Sequence, residues 1–113
     1  MSYMAITNIS TNEFKEILDA GPDELEIIDV REPDEYAAVK IRRSKLIPLS
    51  TISMRINEID WNKKVVLVCA SGARSSHIAK LLSNTGKDVH NLSGGIYELD
   101  INNCPCLEKA SRY

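Results

Sequence analysis

The most informative part of this chain is the run VVLVCASGARSS, which covers residues 65–76. Its first four residues are branched aliphatic, and a continuous run of this kind is typical of a strand buried on both faces. Residues 74–83 carry apolar side chains at helical spacing and therefore predict a helix. The turn between strand and helix points backbone N–H groups into a concave cup, which binds anions and favours a thiolate over a thiol. Cys69 stands at the start of this turn, and we predict that it is a nucleophile.

The composition is that of an ordinary globular chain. The 113 residues are 43% hydrophobic and 27% charged, which suits one compact domain with a single core. Fourteen basic and sixteen acidic side chains give a formal charge of −2, whereas a dedicated nucleic-acid binder usually carries a basic surplus. No apolar run approaches the roughly 20 residues that span a bilayer, and residues 1–9 lack the pattern of a secretory signal peptide. We therefore expect a cytoplasmic protein with no nucleic-acid or membrane partner, and at least one of its three cysteines is expected to be a free thiol.

Helix and strand signals alternate along the chain. Ser10 and Glu13 have the spacing of a capping box, which predicts a helix that ends at the Gly21-Pro22 pair. Strands are predicted at residues 24–30 and 89–92, and Leu46-Ile47-Pro48 is predicted to be a short strand or an extended piece. Helices are predicted from Pro33 to about Val39 and after Ser50, where Ile52, Ile56 and Ile59 share one face. This alternation predicts a parallel sheet with helices on both faces. Ligands of such sheets bind outside the carboxyl ends of the strands, which is where Cys69 stands.

Five short motifs resemble the rhodanese-like domain family in their order and spacing. They are Asp29-Val30-Arg31-Glu32, Glu35-Tyr36, Ile47-Pro48-Leu49, Cys69-Ala70-Ser71-Gly72-Ala73-Arg74-Ser75 and Asn91-Leu92-Ser93-Gly94-Gly95-Ile96. The resemblance implies a single rhodanese-like domain over residues 1–113, with a core at about residues 8–99 and a C-terminal tail at residues 100–113. It implies an α/β fold with three α/β/α layers around a central five-stranded parallel sheet. It also implies a persulfide chemistry centred on Cys69.

The chain departs from that family in three places. Many members carry Gly-His-Ile-Pro-Gly-Ala where this chain has the basic stretch Val39–Ser44, and we expect residues 40–45 to form an irregular, solvated loop. Many members have a tryptophan near the position of Leu99, which this chain lacks. The tail carries Cys104-Pro105-Cys106, which is not a family hallmark, and we expect these cysteines to be exposed. The departures bear on the substrate and the partner rather than on the fold.

The loop that follows Cys69 carries the predicted chemistry. A thiol with an ordinary pKa of about 8.5 is only a few per cent thiolate at neutral pH, and helix N-termini and nearby cations lower such a pKa. The residues expected to bind the substrate are Ala70, Ser71, Gly72, Ala73 and Arg74. We expect the persulfide chemistry at Cys69 to need no cofactor and no metal. His77 and His90 are expected to be surface or structural residues, and Asp29 and Arg31 are expected to tie loops together.

The function that follows from these expectations is sulfur transfer. The Cys69 thiolate takes a sulfane sulfur from a small anion such as thiosulfate, or from a protein persulfide, and passes it to a thiol or cyanide. Tyrosine phosphatases place five residues between cysteine and arginine, whereas four separate Cys69 from Arg74, and the shorter loop favours a sulfur atom over a phosphate. Two alternatives stay open. One is a non-catalytic module that binds or regulates another protein, and the other is a thiol redox protein that pairs Cys69 with Cys104 or Cys106.

Overall fold

The computed structural model describes residues 7–110, and its central element is a parallel sheet. The strands are β1 (Thr7–Ile9), β2 (Leu25–Asp29), β3 (Val39–Ile41), β4 (Lys45–Leu46), β5 (Lys64–Val68), β6 (Val89–Leu92) and β7 (Leu107–Lys109). Five of them form one sheet in the order β1-β6-β5-β2-β4, and every neighbouring pair in it is parallel. The remaining two, β3 and β7, form a separate antiparallel ribbon. The predicted five-stranded parallel sheet is therefore confirmed.

Helices connect most of the strands. They are α1 (Thr11–Ala20), α2 (Pro33–Ala38), α3 (Ala73–Ser83) and α4 (Gly95–Ile101). Single 3-10 turns cover Pro22–Glu24, Leu49–Thr51 and Ile56–Glu58. Between residues 7 and 110, none of the helices has the length and apolar character that a membrane crossing requires.

The sheet separates two apolar cores, which we name after the helices that cover them. The α1/α4 core includes Phe14, Val66, Val68, Ile96 and Leu99. The α3 core includes Val65, Leu67, Cys69, Ile78 and Leu82. Successive residues of β5 thus alternate between the two cores, because the side chains of a strand point to opposite faces of its sheet. The three-layer α/β/α arrangement is confirmed, and it places Cys69 on the α3 side.

Helix α1 begins as its sequence predicts. The Ser10 hydroxyl accepts the N–H of Glu13 at 3.1 Å, and the Glu13 carboxylate accepts the N–H of Ser10 at 3.0 Å. This reciprocal cap satisfies N–H groups that have no partner inside the helix. The helix ends where the N–H of Gly21 donates to the carbonyl of Ile17 at 3.0 Å. Between these ends, α1 buries Phe14 completely and so fixes one outer layer on the sheet.

The prediction of a helix after Ser50 is wrong. The segment contains two 3-10 turns, Leu49–Thr51 and Ile56–Glu58, with further turns between them. Ile52 and Ile59 are nevertheless buried in the α3 core, as their spacing indicates. This segment is rich in serine, threonine, asparagine and β-branched isoleucine, which all have low helix propensity, and no continuous helix forms. Burial of the two isoleucines therefore decides the course of the backbone here.

The C-terminal segment is part of the fold. Strand β7 pairs with β3, and Leu107 lies opposite Ile41. The expected exposure of Cys104 and Cys106 is wrong, because only 7% and 8% of their surfaces are exposed and the two are joined in a disulfide. Pairing between β3 and β7 connects residues far apart in the sequence, which no local pattern of the tail announces.

The basic connection at residues 40–45 is also more ordered than expected. Its two ends belong to β3 and β4. Three of its cations contact carboxylates: Arg42 with Glu108 at 3.4 Å, Arg43 with Asp23 at 2.7 Å, and Lys45 with Glu26 at 2.8 Å. All three cations remain half or more exposed, so these pairs contribute little to stability.

Candidate active site

Cys69 follows the last residue of the central strand β5 and is fully buried. Its carbonyl accepts the N–H of Ile96 at 3.0 Å, and the carbonyl of Ala70 accepts the N–H of Tyr97 at 2.9 Å. These two bonds attach the end of the strand to the first turn of α4. The thiol is therefore held at the carboxyl end of a parallel strand, at the position that the strand–turn–helix pattern predicts.

Three hydrogen-bond donors converge on the Cys69 sulfur. The N–H of Gly72 lies 3.1 Å from Sγ, and both the N–H and the hydroxyl of Ser75 lie 3.4 Å from it. These donors belong to the turn and to the first turn of α3, whose N-terminal end carries a partial positive charge. Such a cup of donors stabilises a negative charge on the sulfur atom.

The turn closes because of Gly72. This residue caps the N-terminus of α3 with a φ of +94°, in the left-handed region that glycine adopts at little cost. A Cβ atom at this position would also fall on the carbonyl oxygen of Ser93. Any larger residue would strain the turn and displace its neighbour, so glycine is what brings the backbone within reach of the sulfur.

The environment of the thiol acts on its pKa in two opposing directions. Burial raises the pKa of Cys69, because a thiolate loses hydration when it leaves water. Hydrogen bonds from the hydroxyl and N–H of Ser75, and from the backbone N–H groups of Ser71 and Gly72, lower it. The donors outweigh burial, and the pKa of Cys69 lies below its ordinary value. The site therefore favours the nucleophilic form of the side chain.

A buried polar chain supports Ser75 from behind. The Ser75 hydroxyl lies 2.5 Å from Oδ1 of Asn91 on β6, and Nδ2 of Asn91 donates to Oδ1 of Asn8 at 3.0 Å. Nδ2 also lies 3.4 Å from the carbonyl of Gly72. Ser75 and Asn91 are almost fully buried. Asn91 and Asn8 were not among the predicted site residues, although an asparagine inside the buried strand β6 was the available signal.

Arg74 lies at the mouth of the cup rather than against the sulfur. Its guanidinium makes two bonds of 2.9 Å to the carboxylate of Glu35 on α2. This pairing lowers the pKa of Glu35 to about 2 and raises the pKa of Arg74, which the nearby Cys69 raises further. The arginine side chain stays 39% exposed, so it presents a positive charge to solvent beside the loop.

The other predicted site residues lie around the loop. Ala70 is half-buried, whereas Ser71 and Ala73 are exposed, so the loop reaches the surface although the Cys69 side chain itself is buried. His77 is exposed on α3. His90 is partly buried on β6, and burial lowers its pKa. In the range 7–110, neither histidine hydrogen-bonds to Cys69, and no cluster of three or more potential metal-ligating side chains occurs.

Asp29 and Arg31 form a buried ion pair beside the site. Nε and Nη2 of Arg31 lie 2.9 Å and 2.8 Å from the two oxygens of the Asp29 carboxylate. Nη2 also donates to the carbonyl of Val39, where β3 begins. The pair thus links the carboxyl end of β2 to β3, as expected of residues that tie loops together.

The two tail cysteines lie across the sheet from Cys69. Cys104 and Cys106 belong to the α1/α4 core, whereas Cys69 belongs to the α3 core. Cys69 is a free thiol, and the other two are paired with each other. The layer of β-strands between them gives no direct route to a bond, because the α-carbons of a disulfide lie within about 7 Å. The geometry therefore does not support the alternative in which Cys69 forms a disulfide with the tail.

The site is thus a cysteine at the end of a parallel strand, with backbone N–H groups and a serine hydroxyl around its sulfur. Comparisons with known proteins identify the family. The sequence model of the rhodanese-like domain matches residues 10–101. The chain belongs to the rhodanese-like domain family.

Individual relatives agree with this assignment. A sulfurtransferase of Allochromatium vinosum is 36% identical over 78 residues, which cover 68% of this chain and 73% of the relative. The thiosulfate sulfurtransferase GlpE of Pseudoalteromonas translucida is 30% identical, with coverage of 81% and 87%. A rhodanese-like domain protein from Staphylococcus aureus has a crystal structure that superimposes with a TM-score of 0.76 at 34% identity, over 94% of this chain and 100% of that one. Sulfurtransferases are thus among the proteins that share this fold and sequence pattern.

Proposed function

We propose that this protein is a sulfurtransferase in which Cys69 carries the transferred sulfur as a persulfide. The observation that supports it best is the convergence of the Gly72 and Ser75 donors on Sγ at 3.1–3.4 Å. The donors lower the pKa of the thiol although the residue is buried. A buried thiolate that is stabilised by these donors is suited to nucleophilic attack. A residue that only filled the apolar core would not need hydrogen-bond donors around its side chain.

The reaction has two half-steps. The Cys69 thiolate attacks the outer sulfur of thiosulfate or of a protein persulfide, a new S–S bond forms, and the donor leaves as sulfite or as a thiolate with the electron pair of the broken bond. The acceptor, a thiol or cyanide, then attacks the outer sulfur of the Cys69 persulfide. The product leaves with that sulfur, and the Cys69 thiolate is restored. No separate base is required in this proposal, because the loop donors lower the pKa of Cys69 and so favour its ionised form.

The loop residues have distinct roles in this proposal. The N–H groups of Ser71, Gly72 and Ser75 stabilise the negative charge, first on Sγ and then on the outer sulfur of the persulfide. Ala70 and Ala73 keep the mouth small. Arg74, fixed by Glu35 at the edge of the loop, attracts an anionic donor.

The proposal is tested by mass spectrometry of the intact protein. Wild type and Cys69→Ala are each incubated briefly with thiosulfate, and separately with polysulfide. We expect wild type alone to gain one sulfur atom, about 32 Da, and to lose it on addition of cyanide. A Cys104→Ala/Cys106→Ala double variant serves as the matched control and is expected to gain sulfur as wild type does. No gain in wild type, or an equal gain in Cys69→Ala, would contradict a Cys69 persulfide.

A further inference from the structure

The Cys104–Cys106 disulfide lies on the side of the sheet opposite Cys69. A surface cavity of about 310 Å³ opens there, at the lower end of the range of small-molecule sites. It is lined by Lys15, Leu18, Asp19, Pro22, Arg42, Arg43, Cys104, Pro105 and Cys106. Both sulfur-bearing residues of the Cys104–Cys106 disulfide thus border a space large enough for a small molecule, although most of their surface is buried in the α1/α4 core.

The disulfide is held in place by the strand ribbon beside it. The N–H of Arg42 donates to the carbonyl of Cys106 at 2.8 Å, and Nη1 of Arg42 donates to the carbonyl of Pro105 at 3.0 Å. The N–H of Cys104 donates to the carbonyl of Leu99 at 3.0 Å. The backbone on both sides of the pair is therefore fixed by contacts that do not depend on the S–S bond itself.

The two sulfur atoms have different surroundings. The N–H of Cys106 lies 3.3 Å from Sγ of Cys104 and donates to it. A donor of this kind stabilises a thiolate on Cys104 more than on Cys106. A sulfur whose thiolate is stabilised is the better leaving group in thiol–disulfide exchange. The incoming thiol is thus directed to Cys106.

Most of the charged side chains that line the cavity are cations. Lys15, Arg42 and Arg43 line it together with one carboxylate, that of Asp19. The arginines make partly exposed ion pairs outside the lining, Arg42 with Glu108 and Arg43 with Asp23, whereas Lys15 forms no ion pair within residues 7–110. Lys15 is half-buried and lines the same cavity as the disulfide. Lys15 is therefore the cation in this cavity that is available to an anionic ligand, whose local concentration it raises.

We propose that the Cys104–Cys106 disulfide is a redox site that exchanges with anionic low-molecular-weight thiols bound in this cavity. The thiolate of the small molecule attacks Sγ of Cys106, the S–S bond breaks, and its electron pair leaves on Cys104 as a thiolate. The product is a mixed disulfide at Cys106. A second small thiolate attacks the sulfur of the bound molecule, releases a small-molecule disulfide and leaves two protein thiols. Two thiols are oxidised for each cysteine pair reduced, and Cys69 takes no part.

The first test uses the Cys69→Ser variant, which removes the sulfur-transfer cysteine from the readout. The folded protein is incubated with glutathione as the probe, alkylated and weighed. We expect the cysteine pair to be reduced and alkylated under conditions in which circular dichroism shows the fold intact. In Cys69→Ser/Cys106→Ser we expect Cys104, whose thiolate the N–H of residue 106 stabilises, to form a mixed disulfide with oxidised glutathione faster at neutral pH than Cys106 does in Cys69→Ser/Cys104→Ser. Reduction only after unfolding, or equal reactivity of the two single-cysteine proteins, would overturn the proposal.

The second test addresses the cavity and needs no cysteine substitution at the site. Lys15→Glu is compared with Lys80→Glu, which makes the same charge change on α3, across the sheet. We expect Lys15→Glu to slow reduction by glutathione about tenfold, within the range that local charge gives to association rates, and Lys80→Glu to leave it unchanged. With 2-mercaptoethanol, which lacks carboxylates, Lys15→Glu has a smaller effect. Equal rates for the two variants with glutathione would overturn the assignment of the cavity as the binding site.

Discussion

The Ser75 hydroxyl has a single proton and lies within hydrogen-bond distance of two acceptors, Oδ1 of Asn91 and Sγ of Cys69. Nδ2 of Asn91 faces the carbonyl of Gly72 and Oδ1 of Asn8, so Oδ1 of Asn91 faces Ser75 at 2.5 Å. At that distance the serine hydroxyl donates its proton to the amide oxygen while Cys69 is a neutral thiol. When Cys69 ionises, the hydroxyl can turn and donate to Sγ, 3.4 Å away. Ser75 therefore has a partner in both protonation states.

Replacement of Ser75 by alanine tests this role. The Ser75 hydroxyl lowers the pKa of Cys69, so Ser75→Ala raises that pKa and leaves less thiolate at neutral pH. A hydrogen bond to a charged group contributes about 1.5–3 kcal/mol, and we expect sulfur uptake at pH 7 to fall roughly tenfold. The measurement is the rate of iodoacetamide alkylation of Cys69 against pH, whose midpoint moves to higher pH. Ser76→Ala, one residue further on, is the control. A profile identical to wild type in Ser75→Ala would rule out the proposed contact.

Gly72 allows a prediction with a matched control on a second glycine. Gly72 and Gly86 both have a left-handed φ, +94° and +86°, but a Cβ atom meets the Ser93 carbonyl only at Gly72 and nothing within 4 Å at Gly86. Gly86→Ala is expected to cost about 1–2 kcal/mol of unfolding free energy from backbone conformation alone, with sulfur uptake retained. Gly72→Ala is expected to cost more and to lose uptake, because the cup opens. Urea denaturation and the sulfur-uptake assay measure both effects; similar losses in the two variants would contradict the steric argument.

At the scale of elements, the Glu35–Arg74 pair joins α2 to the start of α3. The pair lies at the surface and is worth on the order of 1 kcal/mol or less. Its pH dependence is nevertheless distinctive. The pKa of Glu35 falls from 4.5 to about 2 in the folded protein, mainly through its hydrogen bonds to Arg74. A carboxyl whose pKa is lowered by folding stabilises the fold above its unfolded pKa, and the contribution is lost as the pH falls through the folded value.

The corresponding prediction compares Glu35→Gln with wild type between pH 4.5 and about 2. Wild type is expected to be the more stable protein at pH 4.5 and above, and the difference is expected to shrink as the pH falls towards 2, because the Glu35 carboxyl becomes neutral as well. Urea unfolding at several pH values measures the difference. Glu16→Gln, at an exposed position of α1, is the control and should show no such convergence. A Glu35→Gln difference that stays constant over this range would show that the ion pair has no part in stability.

The sequence predicts an element well where its signals are local. The capping box at Ser10 and Glu13 fixes the start of α1, and the aliphatic run before Cys69 defines β5, because both depend on neighbours within a few residues. The segment after Ser50 has isoleucines at helical spacing but low helix propensity, and there the pattern identifies the buried residues without the correct element. Strand β7 escapes prediction because its partner β3 lies more than sixty residues earlier.

The same distinction applies to the site at the scale of the whole molecule. The cysteine, the turn and the following helix are contiguous, so the cup of amides could be predicted. The chain from Ser75 through Asn91 to Asn8 could not, since it joins α3, β6 and β1 over 83 residues of sequence. The sheet order brings β1 and β6 together, and that order is a property of the assembled fold. The Cys104–Cys106 disulfide joins residues only two positions apart, and what the local sequence does not announce is the burial of this pair in the α1/α4 core.

The sheet separates the α1/α4 core from the α3 core, and we expect a packing defect in the first core to leave Cys69 in the second unaffected. Leu107 is 9% exposed in the α1/α4 core, whereas Leu81 is 51% exposed on α3. Leu107→Ala removes buried apolar volume and is expected to cost about 2–5 kcal/mol of unfolding free energy, while Leu81→Ala changes it by about 0.5 kcal/mol or less. Because the sheet separates Leu107 from Cys69, the fraction of folded Leu107→Ala that gains sulfur from thiosulfate should equal that of wild type. Loss of sulfur uptake in a variant that circular dichroism shows to be folded would mean that the two faces of the sheet are coupled.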